Sequence, residues 1–272
     1  MALRKNIKIK VLIIGSGNIA WHIISHLSFF KRFEITLYTR TLTDPLKQLQ
    51  KEFKVKIVTD WKKIDTESDM FFICTPDSVV PNIAQKIKKF KTKGLVVHTS
   101  GTVSLKDISN ASKNTGVFYP LQTFTFGQSV NWLEVPIYIE ASNTRALEYL
   151  ESFAGIFSNT LVKLNSAQRL KLHLAAVIAG NFSNAMYTAA YNYIEAELIN
   201  TDYFNHLLPL INSTAKKIKS IGPIAAQTGP AARGDKKTQK KHLQVLKNYP
   251  ELKKIYKSLS KLIEKQQKDA KL

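Results

Sequence analysis

Two regimes of hydrophobic patterning divide the chain. Up to about residue 164, short runs of β-branched and apolar residues alternate with stretches whose apolar positions recur every three to four residues. The short runs at 11–14, 34–38, 55–58, 69–74, 94–98, 116–119, 136–139 and 160–163 predict strands. The periodic stretches that follow residue 17 and span 44–53 and 79–90 predict helices, and Asn143 or Thr144 caps another that runs to residue 157. Runs such as Met70-Phe71-Phe72-Ile73-Cys74 are apolar throughout and read as buried strands. Alternation of this kind builds a parallel sheet with right-handed crossovers.

From Ser166 the pattern changes. A stretch to about residue 200 has no proline, a single glycine at Gly180, and apolar residues nearly all the way round. Such a helix is covered on several sides, either at the centre of an all-helical domain or in a dimer interface. Residues 202–221 predict a further helix with Pro209 near its start. After a loop at 222–234, Asp235 caps a helix to residue 246, and Pro250 opens a last amphipathic one. The expected fold class is α/β, with an N-terminal doubly wound parallel sheet over 1–164 followed by an all-α domain over 165–272.

The first strand runs directly into Gly15-Ser16-Gly17-Asn18-Ile19-Ala20. A strand, a glycine turn and a helix start in that order form the phosphate-binding corner of a Rossmann-type nucleotide fold. Gly15 permits the tight turn, Gly17 lets a pyrophosphate approach, and Ala20 lets the helix lie close to the strand. Ser16, Asn18 and Ile19 complete the loop, and the helix start offers free N–H groups and partial positive charge. An NAD site would place an acid about 20 residues further on, at the end of the second strand. Here that strand ends Tyr38-Thr39-Arg40-Thr41. Arg40 can fork onto a 2′-phosphate and the threonines can add hydroxyls, so NADP is expected in preference to NAD. The loops Thr75-Pro76-Asp77-Ser78 and Thr99-Ser100-Gly101-Thr102 leave the fourth and fifth strands at the same edge. They are expected to face the nicotinamide half, although both also read as ordinary turns and caps.

Composition adds little that is specific. The single cysteine among 272 residues, Cys74, excludes an internal disulfide and suits a reducing cytoplasm; it reads as a small buried apolar residue. No apolar run approaches the roughly 20 residues of a membrane span. The net charge of +20 raises the question of nucleic acid. Its lysines are spread along the chain and read mainly as solvated helix faces, apart from a cluster opening at Lys236, Lys237, Lys240 and Lys241.

Candidate chemistry lies in the long helix. At about 100° per residue, His173, Gly180 and Asn184 fall near one line, with Asn181 beside it. An imidazole titrates near working pH and could donate a proton to a carbonyl or imine during hydride transfer, with Asn181 and Ser100 as its companions. The alternative is a buried histidine satisfied by backbone, with the asparagines bridging helices. In Gln227-Thr228-Gly229-Pro230-Ala231-Ala232-Arg233-Gly234-Asp235, Arg233 could hold a carboxylate or phosphate, with Thr228 and Asn184 as further substrate contacts. Equally, Asp235 could simply cap a helix while Arg233 ties the loop down. Neither a metal site nor a nucleophile triad is legible.

The motifs GSGNIA, CTPDS, HTSGT, GVFYPLQTF, KLHLAAVIAGNFSNAMY and QTGPAARGD together resemble a group of bacterial Rossmann-like proteins. That group carries a C-terminal helical domain of unknown function, and the likeness extends to about His242. It is similar to the ketopantoate reductase, pyrroline-5-carboxylate reductase and 6-phosphogluconate dehydrogenase class and to deazaflavin-linked NADP oxidoreductases. The resemblance implies NAD(P)H-dependent hydride transfer and homodimers built on the long helix. Lys171 matches a helix lysine of the hydroxyacid dehydrogenases, but Ala175 stands where their asparagine belongs. His173 and Asn181 follow the group's own pattern instead. The expectation is a cytoplasmic, homodimeric NADP-dependent oxidoreductase acting on a small, anionic carbonyl, hydroxy or imine substrate. The alternative is a non-catalytic NADP-binding sensor or interaction protein.

Overall fold

The computed structural model describes residues 8–198 and 201–270. Its strands are β1 (Ile9–Ile14), β2 (Phe33–Tyr38), β3 (Lys56–Val58), β4 (Met70–Ile73), β5 (Leu95–His98), β6 (Thr115–Pro120), β7 (Ile137–Ala141) and β8 (Leu161–Lys163). They form one eight-stranded sheet in the order β3-β2-β1-β4-β5-β6-β7-β8. The order reverses between β1 and β4, and such a switch point opens a crevice at the carboxyl ends of the strands.

Alternation along the strands decides which helix each face receives. Val11 and Ile13 of β1 pack with Ala20, Ile23 and Leu27 of α1 (Asn18–Ser28), with α2 (Asp44–Phe53) and with α4 (Thr144–Ala154). Leu12 and Ile14 face the other way, onto Val80, Ile83, Ala84 and Ile87 of α3 (Val80–Lys88). Helices on both faces explain why β4 and β5 are buried at every position. The expected parallel pairing holds everywhere except at β7, which runs antiparallel to β6 with Tyr119 opposite Tyr138. Between them lies only a short 3-10 turn, Trp132–Glu134. A parallel return would need a crossover of a dozen or more residues with its own helix.

The chain divides into two compact units, Met1–Gly180 and Asn181–Leu272. The first contains the whole sheet and α5 (Ser166–Ala176). The second contains α6 (Ser183–Glu197), α7 (Leu208–Ile221), α8 (Pro230–Arg233), α9 (Lys236–Val245) and α10 (Pro250–Asp269), with no strand among its described residues.

Two expectations about the long helix are corrected. Its backbone is not a uniform α-helix, because Val177–Phe182 is a π-helical turn. Each π turn takes in an extra residue, so the 3.6 period that aligned His173, Gly180 and Asn184 is broken there. Nor is the helix covered on several sides within one chain. Leu174 is 59% exposed and Phe182 57%, and Leu170, Ile178, Tyr187 and Tyr191 are exposed as well.

Candidate active site

At the end of β1, Gly15 adopts φ +108°, and a Cβ there would stand 2.4 Å from the Cys74 carbonyl oxygen. Both backbone and space therefore demand glycine. Gly17 is different: a Cβ there would meet nothing within 4 Å. It precedes α1, whose first turn has no side-chain cap, so the opening N–H groups are unsatisfied beside open space. That is the geometry a pyrophosphate needs. Asn18 is spent elsewhere, since its side-chain amide donates to the Phe124 carbonyl at 2.7 Å. Together with His22, whose Nε2 lies 2.9 Å from the Thr125 carbonyl, it ties α1 to the segment after β6. Ile19 is half-buried against the core.

At the end of β2 the Thr39 hydroxyl donates to the Thr41 carbonyl at 3.1 Å and lies 3.2 Å from the Ser16 hydroxyl. Thr39 is buried and braces the glycine loop rather than offering a free donor. Arg40 is exposed, and its guanidinium makes no hydrogen bond or salt bridge among the described residues. Glycine corner and helix start together fit the pyrophosphate of a dinucleotide.

The next two strand ends continue this edge. Burial pushes the Cys74 thiol up to about 12, so it is not a nucleophile at working pH. The Thr75 hydroxyl is buried without a hydrogen-bond partner among the described residues, and Pro76 is exposed beside it. Asp77 accepts a short hydrogen bond from the Thr102 hydroxyl, which joins the loops after β4 and β5. Ser100 is buried; its hydroxyl accepts from the amides of Thr102 at 3.0 Å and Val103 at 2.9 Å, so it shapes its own loop. The Ser100 amide donates to Nδ1 of His98, a wholly buried ring that desolvation, helped by Arg169, pushes down to about 3.

His173 of α5 reaches the same loop. A Cβ on Gly101 would fall 2.5 Å from His173 Nδ1 and 2.6 Å from its Cγ, so the imidazole lies directly on the Gly101 backbone. Nδ1 is 2.9 Å from the hydroxyl of Tyr119, near the carboxyl end of β6. Tyr119 is buried, and desolvation raises its phenol above the ordinary value, so it keeps its proton. One helical turn earlier, Arg169 is 1% exposed and pairs with Glu140 of β7 at 2.5 Å. It also donates to the Val103 carbonyl, while the Ser166 hydroxyl donates to Glu140 at 2.7 Å and accepts from the Leu105 amide at 2.9 Å. This network clamps α5 to the loop after β5.

Contacts thus run without a gap from the phosphate corner to the imidazole: Gly15 on Cys74, Asp77 to Thr102, and Gly101 on His173. Tyr119 and Arg169 were not among the predicted site residues. The other candidates belong to the second unit. Asn181 and Asn184 are exposed rather than buried, and their side chains make no hydrogen bond among the described residues. Thr228 is exposed, with its carbonyl accepting from the Gln227 amide at 2.9 Å. Arg233 ends α8, exposed, with its guanidinium in no hydrogen bond or salt bridge among the described residues, whereas Asp235 caps α9 by accepting from the Thr238 amide at 3.0 Å. Among the described residues no cluster could hold a metal ion, and no helix is long and apolar enough to cross a membrane.

Residues 10–101 match the family described as NADP oxidoreductase, coenzyme F420-dependent. Residues 135–263 match a domain of unknown function, DUF2520. A candidate NADP oxidoreductase of Bacteroides fragilis is 32% identical, with 95% of this chain and 98% of that one covered and a TM-score of 0.87. A Thermotoga maritima protein is 20% identical over 95% and 99% of the two chains, TM-score 0.75. The pyrroline carboxylate reductase of Plasmodium falciparum, solved with NADP bound, is 12% identical over 96% and 99%, TM-score 0.56, a likeness of fold alone. No curated protein matches the sequence.

Proposed function

The chain belongs to a family of NADP oxidoreductases in which a nucleotide-binding Rossmann domain precedes a C-terminal domain of unknown function, and on that premise we propose that it binds NADP(H) and reduces or oxidises a small carbonyl, hydroxy or imine substrate. The observation that carries the proposal is the continuous edge from the glycine corner to His173. When bound, the nicotinamide supplies or accepts a hydride. The chain's own residues do the rest. The Gly17 face and the α1 amides hold the pyrophosphate, and Arg40 takes the 2′-phosphate. The Ser100 loop, stiffened by Thr102 and Asp77, walls the cleft, with Thr75 and Pro76 on the neighbouring strand end. His173 gives a proton to, or takes one from, the reacting oxygen or nitrogen. Within the second unit, taken by itself, Arg233 is the proposed anchor for an anionic group, with Thr228, Asn184 and Asn181 as proposed polar contacts.

We further propose a homodimer. Leu170, Leu174 and Ile178 recur every four residues, exposed, on the helix that sequence patterning marks as covered, and a second copy would cover them.

Turnover of NADPH with a panel of keto acids, keto sugars and imines tests the activity. Titration of Arg40→Ala tests the cofactor. NADPH affinity should fall more than about tenfold with NADH affinity nearly unchanged, as expected for loss of a charged fork on phosphate. Equal losses for the two nucleotides would refute the NADP assignment.

A further inference from the structure

The imidazole proposed above as proton donor is held in an unusual way for a residue on an exposed helix. Its Nδ1 faces the Tyr119 hydroxyl at 2.9 Å, its ring base rests on Gly101, and its Nε2 has no partner among the described residues. A neutral imidazole carries one proton, and which nitrogen holds it follows from the partner of the other. Tyr119 is 8% exposed, and its hydroxyl has no hydrogen-bond partner other than Nδ1 among the described residues. A buried hydroxyl must use its proton. Donation to Nδ1 achieves this and leaves the imidazole proton on Nε2, the nitrogen without a protein partner.

We infer that Tyr119 is a positioning residue that locks His173 as the Nε2–H tautomer, so that Nε2 presents its proton to the substrate. This rests on the reductase reading of the same site. In the reducing direction a bound nicotinamide would supply hydride to the carbonyl carbon, which would leave the C=O π pair on oxygen in need of a proton. The oxygen takes the Nε2 proton, the Tyr119 phenol keeps its own proton while it holds Nδ1, and a proton from water restores Nε2–H and leaves hydroxide. Arg169 supports the arrangement from one turn away, because its bonds to Glu140 and to the Val103 carbonyl fix the height of α5 above the loop. Without the phenol, no hydrogen bond to the ring among the described residues selects one tautomer over the other.

Nitrogen-15 NMR of the histidine-labelled protein at slightly alkaline pH reads the tautomer directly, with His173→Gln assigning the signal among the six histidines. The wild type should show a protonated Nε2 and an unprotonated Nδ1. Tyr119→Phe should lose this and give a mixture, while its thermal midpoint stays close to wild type and its NADPH affinity changes less than about twofold. With any substrate the panel identifies, the phenylalanine variant should lose about tenfold or more in kcat at little cost in KM, the lower end of what a placed acid contributes. A wild-type Nδ1–H tautomer, or an unchanged spectrum in Tyr119→Phe, overturns the inference. A locked tautomer in a chain that does not bind NADPH would instead refute the proposed function and leave the lock standing.

Discussion

Replacing Gly101 by alanine is a test of how closely the loop after β5 and the His173 helix are fitted. The new methyl would lie 2.5 Å from His173 Nδ1, 2.6 Å from Cγ and 3.0 Å from Cβ. Carbon and nitrogen atoms rest at roughly 3.5 Å or more, so about 1 Å of relief is needed. The strained atoms are the root of the side chain, which cannot swing clear by itself, and Arg169 one turn away holds the helix in place. Moving the ring by about 1 Å takes the bond to Tyr119 from 2.9 Å to nearly 4 Å, outside hydrogen-bond range. Loss of that bond costs about 1 kcal/mol and overpacking about 1–3 kcal/mol, so urea unfolding should report a loss of about 2–4 kcal/mol. Turnover should fall about a hundredfold, since a misplacement of that size at a reacting group has about that effect. Gly101→Ala combined with His173→Ala removes the ring that causes the clash and should recover most of the lost stability. Gly17→Ala serves as the contrast: stability should hold and NADPH affinity should drop, because the methyl enters only the open face. A Gly101→Ala protein as stable and as active as the wild type would refute the packing of His173 on this loop.

Three other outcomes follow from the same geometry. Glu140→Ala strands the 1% exposed Arg169 without its counter-ion and should cost about 3–5 kcal/mol, while Glu140→Ala with Arg169→Met should cost far less, measured by denaturant unfolding. His98 is held neutral by burial down to about 3, so stability should be full above the unfolded imidazole value of about 6.5 and fall as pH drops toward 3. At 1.36 kcal/mol per unit the window amounts to as much as about 5 kcal/mol, and urea titrations between pH 7 and 4 should show a slope that His98→Asn flattens. Light scattering should give twice the 30.7 kDa chain mass, and Leu174→Asp with Ile178→Asp should yield monomer; a wild-type monomer would remove the dimer proposal.

Most of the fold was legible because burial imposes period. Residues 44–53 form α2, as their pattern predicts, and all eight predicted strands are present. The direction of β7 was not legible, since Ile137-Tyr138-Ile139 packs equally well either way and only the missing crossover helix decides it. The π turn at Val177–Phe182 was equally hidden, because an extra residue in a helix leaves no mark on an apolar sequence. In the site, the glycine corner could be read because φ > 0 and phosphate approach require particular residue types. The partner of His173 could not. Tyr119 sits in the buried run Gly116-Val117-Phe118-Tyr119, where a tyrosine looks like core, and 54 residues separate it from the imidazole. The one available signal was topological: β6 follows β5 in the sheet, and its carboxyl end shares an edge with the glycine corner. Arg169 was masked likewise, as an arginine in the second turn of a helix reads as surface.

The central claim is hydride transfer from NADPH with His173 moving the proton. The most direct test supplies NADPH deuterated at the reactive nicotinamide carbon, in either face, with the panel of keto acids, keto sugars and imines. One substrate class should acquire a single deuterium from one face only, with label transfer lost in His173→Ala although that variant still binds NADPH. If NADPH binds but no class acquires label, or if His173→Ala transfers it as fast as the wild type, the account of this site as a reductase centre is wrong.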